Sequence, residues 1–298
     1  MTEGREDAGT PLSTRPAKTP MYQAIHAARY HRQERIREIQ EVEGNCLLCY
    51  VCGPRSSIDR DDVVFFADLV HNVQRGSNID LLLHTGGGDI DAAEKLVTLL
   101  RNWVGNGRLR VIVPDFAKSA GTLMAIGADC IVMSDTSELG PIDPQIVVAD
   151  ANGNRVAHSV KSYLDAYGQH AEALRANPTD PVARMMLDKL DPGTLKLFEA
   201  VHRRSQKLAE DQLKTGMLRD KGNYTSVAAK LIDTDHWLTH GKVINRQAAE
   251  AMELDVAYLP ATEDVWRRYW QLYCLQRLSL SDGGKLFESE HVSLPVSG

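Results

Sequence analysis

The chain has 298 residues, 43% of them hydrophobic, and a formal net charge of -6. That length and apolar content suit one large domain or two small ones around a real core, and the acidic balance argues against a general nucleic-acid binder. No stretch reaches the 18 or so uninterrupted apolar residues of a spanning helix, and the opening MTEGREDAGTPLSTRPAKTP carries acids where a secretory signal needs an apolar core. A cytoplasmic protein with no transmembrane segment is expected.

In chain order, residues 1–20 are rich in Thr, Pro, Gly and charge and read as a disordered tail. Residues 21–43 read as one helix, with Tyr22, Ile25, Arg29, Ile36 and Ile39 near one face. CLLCYVC at 46–52 is a buried strand. Its Cys46, Cys49 and Cys52 have metal-like spacing, but on a strand Cys49 faces away from the other two, and Cys46 and Cys52 lie about 20 Å apart. A metal site is not expected there. A helix near 59–75 follows, then an apolar strand at 79–84, the run Thr85-Gly86-Gly87-Gly88-Asp89, and a helix over 90–104. Next come a strand at 110–113, a turn holding Ser119, a helix to about 128 and a strand at 131–133. Strands alternating with helices predict an α/β fold with a mainly parallel sheet and right-handed connections.

Residues 151–235 change character: they are charged, with helical stretches near 157–175, 193–216 and 223–233, and read as a helical insertion or arm. Residues 236–298 return to the core through a short helix and an apolar strand, and end in an aromatic helix. There Trp266, Tyr269, Trp270 and Tyr273 recur at helical spacing, as core or interface stripes do. The expected division is thus a tail at 1–20, a core with its N-terminal helix at 21–150, the arm at 151–235 and the return at 236–298.

Two features stand out: a triple glycine directly after one strand and a serine directly after the next. Read alone, Ser119 is a helix cap, its hydroxyl accepting from first-turn N–H groups. The competing reading is a nucleophile lifted out of the sheet by a tight strand-to-helix turn. Gly86-Gly87-Gly88 lacks the spacing of a dinucleotide or P-loop phosphate site, but beside a serine its N–H groups could form an oxyanion hole.

The order HTGGGDIDAA, AKSAGTLMAIGAD, SELGPIDPQ, THGKVINRQAAEAMELDV resembles the Clp/crotonase superfamily. It is most similar to the SDH (serine dehydrogenase proteinase) family of Clp-fold serine peptidases, with signal peptide peptidase A as a neighbour. The resemblance covers residues 45–145 well and 235–259 loosely. It implies a Clp/crotonase-like ββα-superhelix fold, Ser119 as nucleophile, and an oxyanion hole from Gly87, Gly88 and the Ala120 N–H. At the position where Clp peptidases carry their histidine stands Asp143, so the chain departs from a Ser-His-Asp triad. As in the signal peptide peptidase A group, a lysine some forty residues after the serine would then be the base, and Lys161 fits.

His158, placed one helical turn before Lys161, is the alternative base. His84, read as a core histidine, the remoter His236 and His240, and Lys118, expected to project away, complete the candidates. Asp143 and Glu138 are expected to be structural. The expectation is a serine endopeptidase hydrolysing peptides or unfolded segments by a Ser119–Lys161 dyad through an acyl-enzyme, without metal or organic cofactor, as a homo-oligomer. The rival readings are a crotonase-type acyl-CoA enzyme and a catalytically inactive Clp-fold assembly protein.

Overall fold

The structure, a computed structural model, describes residues 19–149, 155–189, 191–233, 237 and 242–297. The expected tail lies almost wholly outside the described residues, as do His236 and His240.

A seven-stranded sheet forms the centre, in the order β11-β10-β1-β2-β3-β5-β9. Strands β1 (Cys46–Cys52), β2 (Ile79–His84), β3 (Leu109–Ile112), β5 (Cys130–Met133) and β9 (Val256–Tyr258) run parallel. On the β1 side, β10 (Lys285–Glu288) and β11 (Ser293–Val296) add two antiparallel strands that the sequence reading missed. The parallel strands are nearly continuous apolar runs because both faces are covered. Along β1, Leu48, Tyr50 and Cys52 enter one core with helices α3 (Asp62–His71), α4 (Ile90–Val104) and α5 (Ala120–Ile126). Leu47, Cys49 and Val51 enter a second core with α2 (Ala27–Glu43) and α11 (Asp264–Leu278). Cys49 therefore faces away from Cys46 and Cys52, all five cysteines are free, and burial pushes the Cys49 thiol up. No metal-holding group of His, Cys, Asp and Glu occurs among the described residues.

Helix α4 has the bounds read from sequence because its signals are strong: the Asp89 carboxylate caps the N–H groups of Asp91 and Ala92 at 2.8 and 3.1 Å. At its other end Gly105, at φ 56°, stops it. The N-terminal helix is not continuous. A short α1 (Pro20–Ile25) breaks from α2 at His26, so Ile36 and Ile39 are buried while Tyr22 and Ile25 stay exposed. In α11, Trp266, Tyr269 and Tyr273 are buried against α2, while Trp270 of the same stripe is exposed.

Two short strands, β4 (Phe116–Ala117) and β6 (Glu138–Leu139), pair in a small parallel sheet next to the end of β2. A hairpin of β7 (Gln145–Ala149) and β8 (Arg155–Ser159) then precedes α6 (Val160–Ala176), α7 (Pro181–Leu187), α8 (Pro192–Thr215) and α9 (Tyr224–Ile232). Leu208, Leu213, Val227 and Leu231 bury the latter two helices in the first core. A short α10 (Arg246–Ala251) leads into β9. No described helix is long and apolar enough to cross a membrane.

Candidate active site

The sequence turns from strand to helix between Phe116 and Ala120, and this turn is tight. Ser119 has φ 51° and ψ -117°, one of two non-glycine residues with positive φ among those described. Such a conformation costs about 1–3 kcal/mol and persists only where the surroundings impose it. Here α5 is pressed against β2: a Cβ on Gly121 would lie 2.5 Å from Thr85 Cγ2. The Ser119 hydroxyl makes no capping hydrogen bond, so the helix-cap reading fails; the side chain is half-exposed.

The glycine loop lies directly against this turn. A Cβ built on Gly87 would come within 2.8 Å of Ser119 Cβ, and Gly87 and Gly88 have φ of 110° and 147°, open only to glycine. On its far side the loop is hung from Ile58, whose N–H donates to Gly87 O (2.8 Å) and whose carbonyl accepts from Asp89 N–H (2.9 Å). Gly88 sits between these bonds, its Cα so near Ile58 that a Cβ would be 2.3 Å from the Ile58 carbonyl oxygen. The three expected oxyanion donors thus have different surroundings. The Gly87 N–H donates to Thr85 Oγ1 at 3.1 Å, while the N–H groups of Gly88 and Ala120 have no partner among the described residues. Two donors without partners, one in the loop beside the strained serine and one directly after it in the chain, are of the kind that can stabilise negative charge.

The candidate bases are dispersed. Lys118 is turned away, its Nζ 3.0 Å from Glu138 and 3.3 Å from the Leu139 carbonyl. His84 is buried between Phe116 and Tyr273, whose hydroxyl lies 3.3 Å from its Nδ1. Burial, reinforced by Arg277, pushes its pKa down to about 3, so the ring is neutral. His158 lies on β8 rather than on the helix, exposed, with its ring edge-on to Tyr163. Its expected place on one helical face with Lys161 is therefore wrong: the chain is extended until Ser159.

Lys161 stands in the first turn of α6, half-buried, with Nζ 2.6 Å from Asp165. It shares a cleft of about 430 Å³ with His202, Gln206, Lys230 and Asp233. The loop Gly140-Pro141-Ile142-Asp143-Pro144, buried as far as Asp143, joins α5 to the start of α6. At one end Gly140 N–H donates to Thr122 Oγ1 (3.1 Å), in the first turn of α5; at the other, Val160 N–H donates to Pro144 O (2.9 Å). Asp143 is fully buried within it. His202, on α8, escaped the sequence reading because nothing in the helical pattern marks it. Burial and then the Lys161 charge hold its pKa below the usual value, against the pull of Asp165 and Asp143.

Residues 57–165, which hold the glycine loop, Ser119 and Lys161, match the family model described as ClpP-like SDH-type serine proteinase. That is the family the motifs resemble, and the matched residues run from the loop before α3 into α6. Uncharacterized protein MJ0137 of Methanocaldococcus jannaschii is 31% identical over 183 residues, 60% of this chain and 53% of that protein. Uncharacterized protein MJ1495 of the same organism is 41% identical over 68 residues, 23% of each. The chain thus spans about half the length of the first of these relatives. Among solved structures, a variant of 1510-N membrane-bound stomatin-specific protease superposes with a TM-score of 0.37 at 14% identity, over 72% of this chain and 97% of that one. A second variant of it, in complex with a substrate peptide, gives 0.35 at 14%, over 78% and 98%.

Proposed function

We propose that the chain is a serine endopeptidase acting on peptides or unfolded protein segments, with Ser119 as its nucleophile. The observation that carries this reading is the strained, uncapped Ser119 beside the unpartnered N–H groups of Gly88 and Ala120. Ser119 Oγ attacks the scissile carbonyl while its proton passes to the neutral amine of Lys161, and the carbonyl oxygen becomes an oxyanion held by Gly88 and Ala120. Each such donor is worth about 3–4 kcal/mol of barrier. The Lys161 ammonium then gives its proton to the leaving nitrogen as the C–N bond breaks, leaving an acyl-enzyme. Water, deprotonated by Lys161, attacks the ester, and the proton returns to Ser119 Oγ. Lys161 as base is supported by its half-burial and by the loop 140–144, which joins its helix start to α5. Its pairing with Asp165 must open for the amine to be neutral. A homo-oligomer is the assembly we expect.

A fluorophosphonate probe tests the nucleophile: Ser119 should be the labelled residue, and Ser119→Ala should lose both labelling and casein hydrolysis. Labelling of another serine, or hydrolysis surviving in that variant, would refute the assignment. A crotonase-type reaction needs no serine nucleophile, and a survival of acyl-CoA turnover in Ser119→Ala would point to it.

A further inference from the structure

Far from the site in sequence, Lys285 on β10 is a buried cation. Its side chain is 8% exposed, and Nζ lies 2.5 Å from Asp59 Oδ2 and 2.8 Å from Asp62 Oδ1. Asp62, buried as well, also accepts from the Tyr50 hydroxyl at 2.5 Å and from the Asp59 N–H at 2.9 Å. The second oxygen of Asp59 takes the Asp61 N–H at 2.9 Å. A buried ion pair of this kind is weak evidence for stability, since an apolar residue of like volume often serves as well. What it does provide is a fixed geometry for the backbone it grips.

That backbone is the residue before Asp59. Ile58 brackets Gly88 with its two hydrogen bonds and touches its Cα, and Gly87 touches Ser119. Each link from the ammonium to the oxyanion donor is thus a hydrogen bond or a backbone contact with no flexible side chain after Asp59. We propose that Lys285 is a positioning residue for the oxyanion loop: by gripping Asp59 and Asp62 it sets Ile58, and through Ile58 the direction of the Gly88 N–H. The inference rests on the reading of Gly88 as an oxyanion donor. Catalytic donors must be held to within about half an ångström, which a free loop edge does not achieve.

Three variants of the full chain test it: Lys285→Met, which keeps the aliphatic stem, Lys285→Arg, which keeps the charge, and Asp59→Asn. Lys285→Met should lower kcat for peptide hydrolysis about tenfold with KM nearly unchanged, as expected when a remote change displaces a reacting group. Amide hydrogen exchange at Ile58 and Asp89 should quicken about tenfold while Leu81 to Leu83 exchange as in the wild type, and Lys285→Arg should restore most of both. Exchange needs no turnover, so it reports on the grip even if Ser119 proves not to be a nucleophile. A wild type that neither labels nor hydrolyses would refute the peptidase reading alone. Should Lys285→Met not fold, Asp59→Asn, whose carboxylate is largely exposed, should give the same pattern at smaller amplitude. Unchanged exchange at Ile58 and Asp89 in a folded variant, or a uniform rise over β1 and β2, would overturn the proposal.

Discussion

Replacing Ser119 by glycine and by alanine separates strain from chemistry. At φ 51° and ψ -117° the serine sits where a Cβ is unfavourable, at about 1–3 kcal/mol, and its hydroxyl returns nothing by capping. Glycine relieves that strain but loses about 0.4–1 kcal/mol through the greater entropy of the unfolded chain. The net expectation is a Ser119→Gly protein more stable than the wild type by about 0.5–2 kcal/mol, or a few degrees in Tm. Ser119→Ala keeps the Cβ and loses only a half-exposed hydroxyl, so its stability should stay within about 0.5 kcal/mol of the wild type. Both should be inactive. Paired urea titrations with casein assays measure all four outcomes. An alanine variant weakened by about 1 kcal/mol would restore the cap reading, and a glycine variant less stable than the wild type would show that no strain is stored at this turn.

The glycines give a second contrast. Gly88→Ala puts a Cβ 2.3 Å from the Ile58 carbonyl oxygen, so it should lose two backbone hydrogen bonds at about 1 kcal/mol each and slow hydrolysis about a hundredfold or more, whereas Gly86→Ala meets nothing within 4 Å and should change little in melting or rate. If Lys161 is the base, Lys161→Ala and Lys161→Arg should both remove most activity, because a guanidinium stays protonated, and the pH–rate profile should rise toward alkaline pH. Asp165→Asn, which removes the anion 2.6 Å from Nζ that favours the ammonium, should move that rise to lower pH; an unmoved profile would exclude Lys161. His84 offers a pH test of stability. Its folded pKa of about 3 lies below the unfolded value near 6.5, so its contribution is complete above pH 6.5 and is lost as pH falls toward 3, by about 2 kcal/mol at pH 5. In His84→Gln that loss between pH 7 and 5 should shrink, as urea midpoints at the two values would report.

Elements with strong local signals were legible in the sequence. β2 and α4 have the bounds the sequence predicts because a mostly apolar run ending in the glycine loop, and a helical stripe between an aspartate cap and a glycine stop, leave little choice. β10 and β11 are not legible: four residues each, they form a short hairpin whose β10 pairs with β1 only across most of the chain, which is tertiary context. The β7–β8 hairpin is not read from sequence although Asn152-Gly153 after the β-branched run Ile146–Val148 is a hairpin signal, because the charged RVAHS that follows carries one β-branched residue. At the site, the strand-turn-helix around Ser119 and the glycine loop were legible as neighbours, since parallel strands bring their C-terminal ends to one edge. The positive φ of Ser119, the bracket around Gly88 and the company of His202 were not, because none follows from periodicity. The alternative base His158 is read one helical turn before Lys161 on the same face, which the extended backbone before Val160 forbids.

The pairing of Cys52 with Lys285 bears on how the protein comes to be made. A chain leaving the ribosome exposes the glycine loop and Ser119 long before β10 has been synthesised, and β1 must wait with one edge open for a strand more than two hundred residues downstream. On the reading developed above, the nucleophile is present early and its oxyanion loop is steadied late. The nascent chain then carries Ser119 through most of its translation with that loop ungripped, at the reduced turnover expected of Lys285→Met.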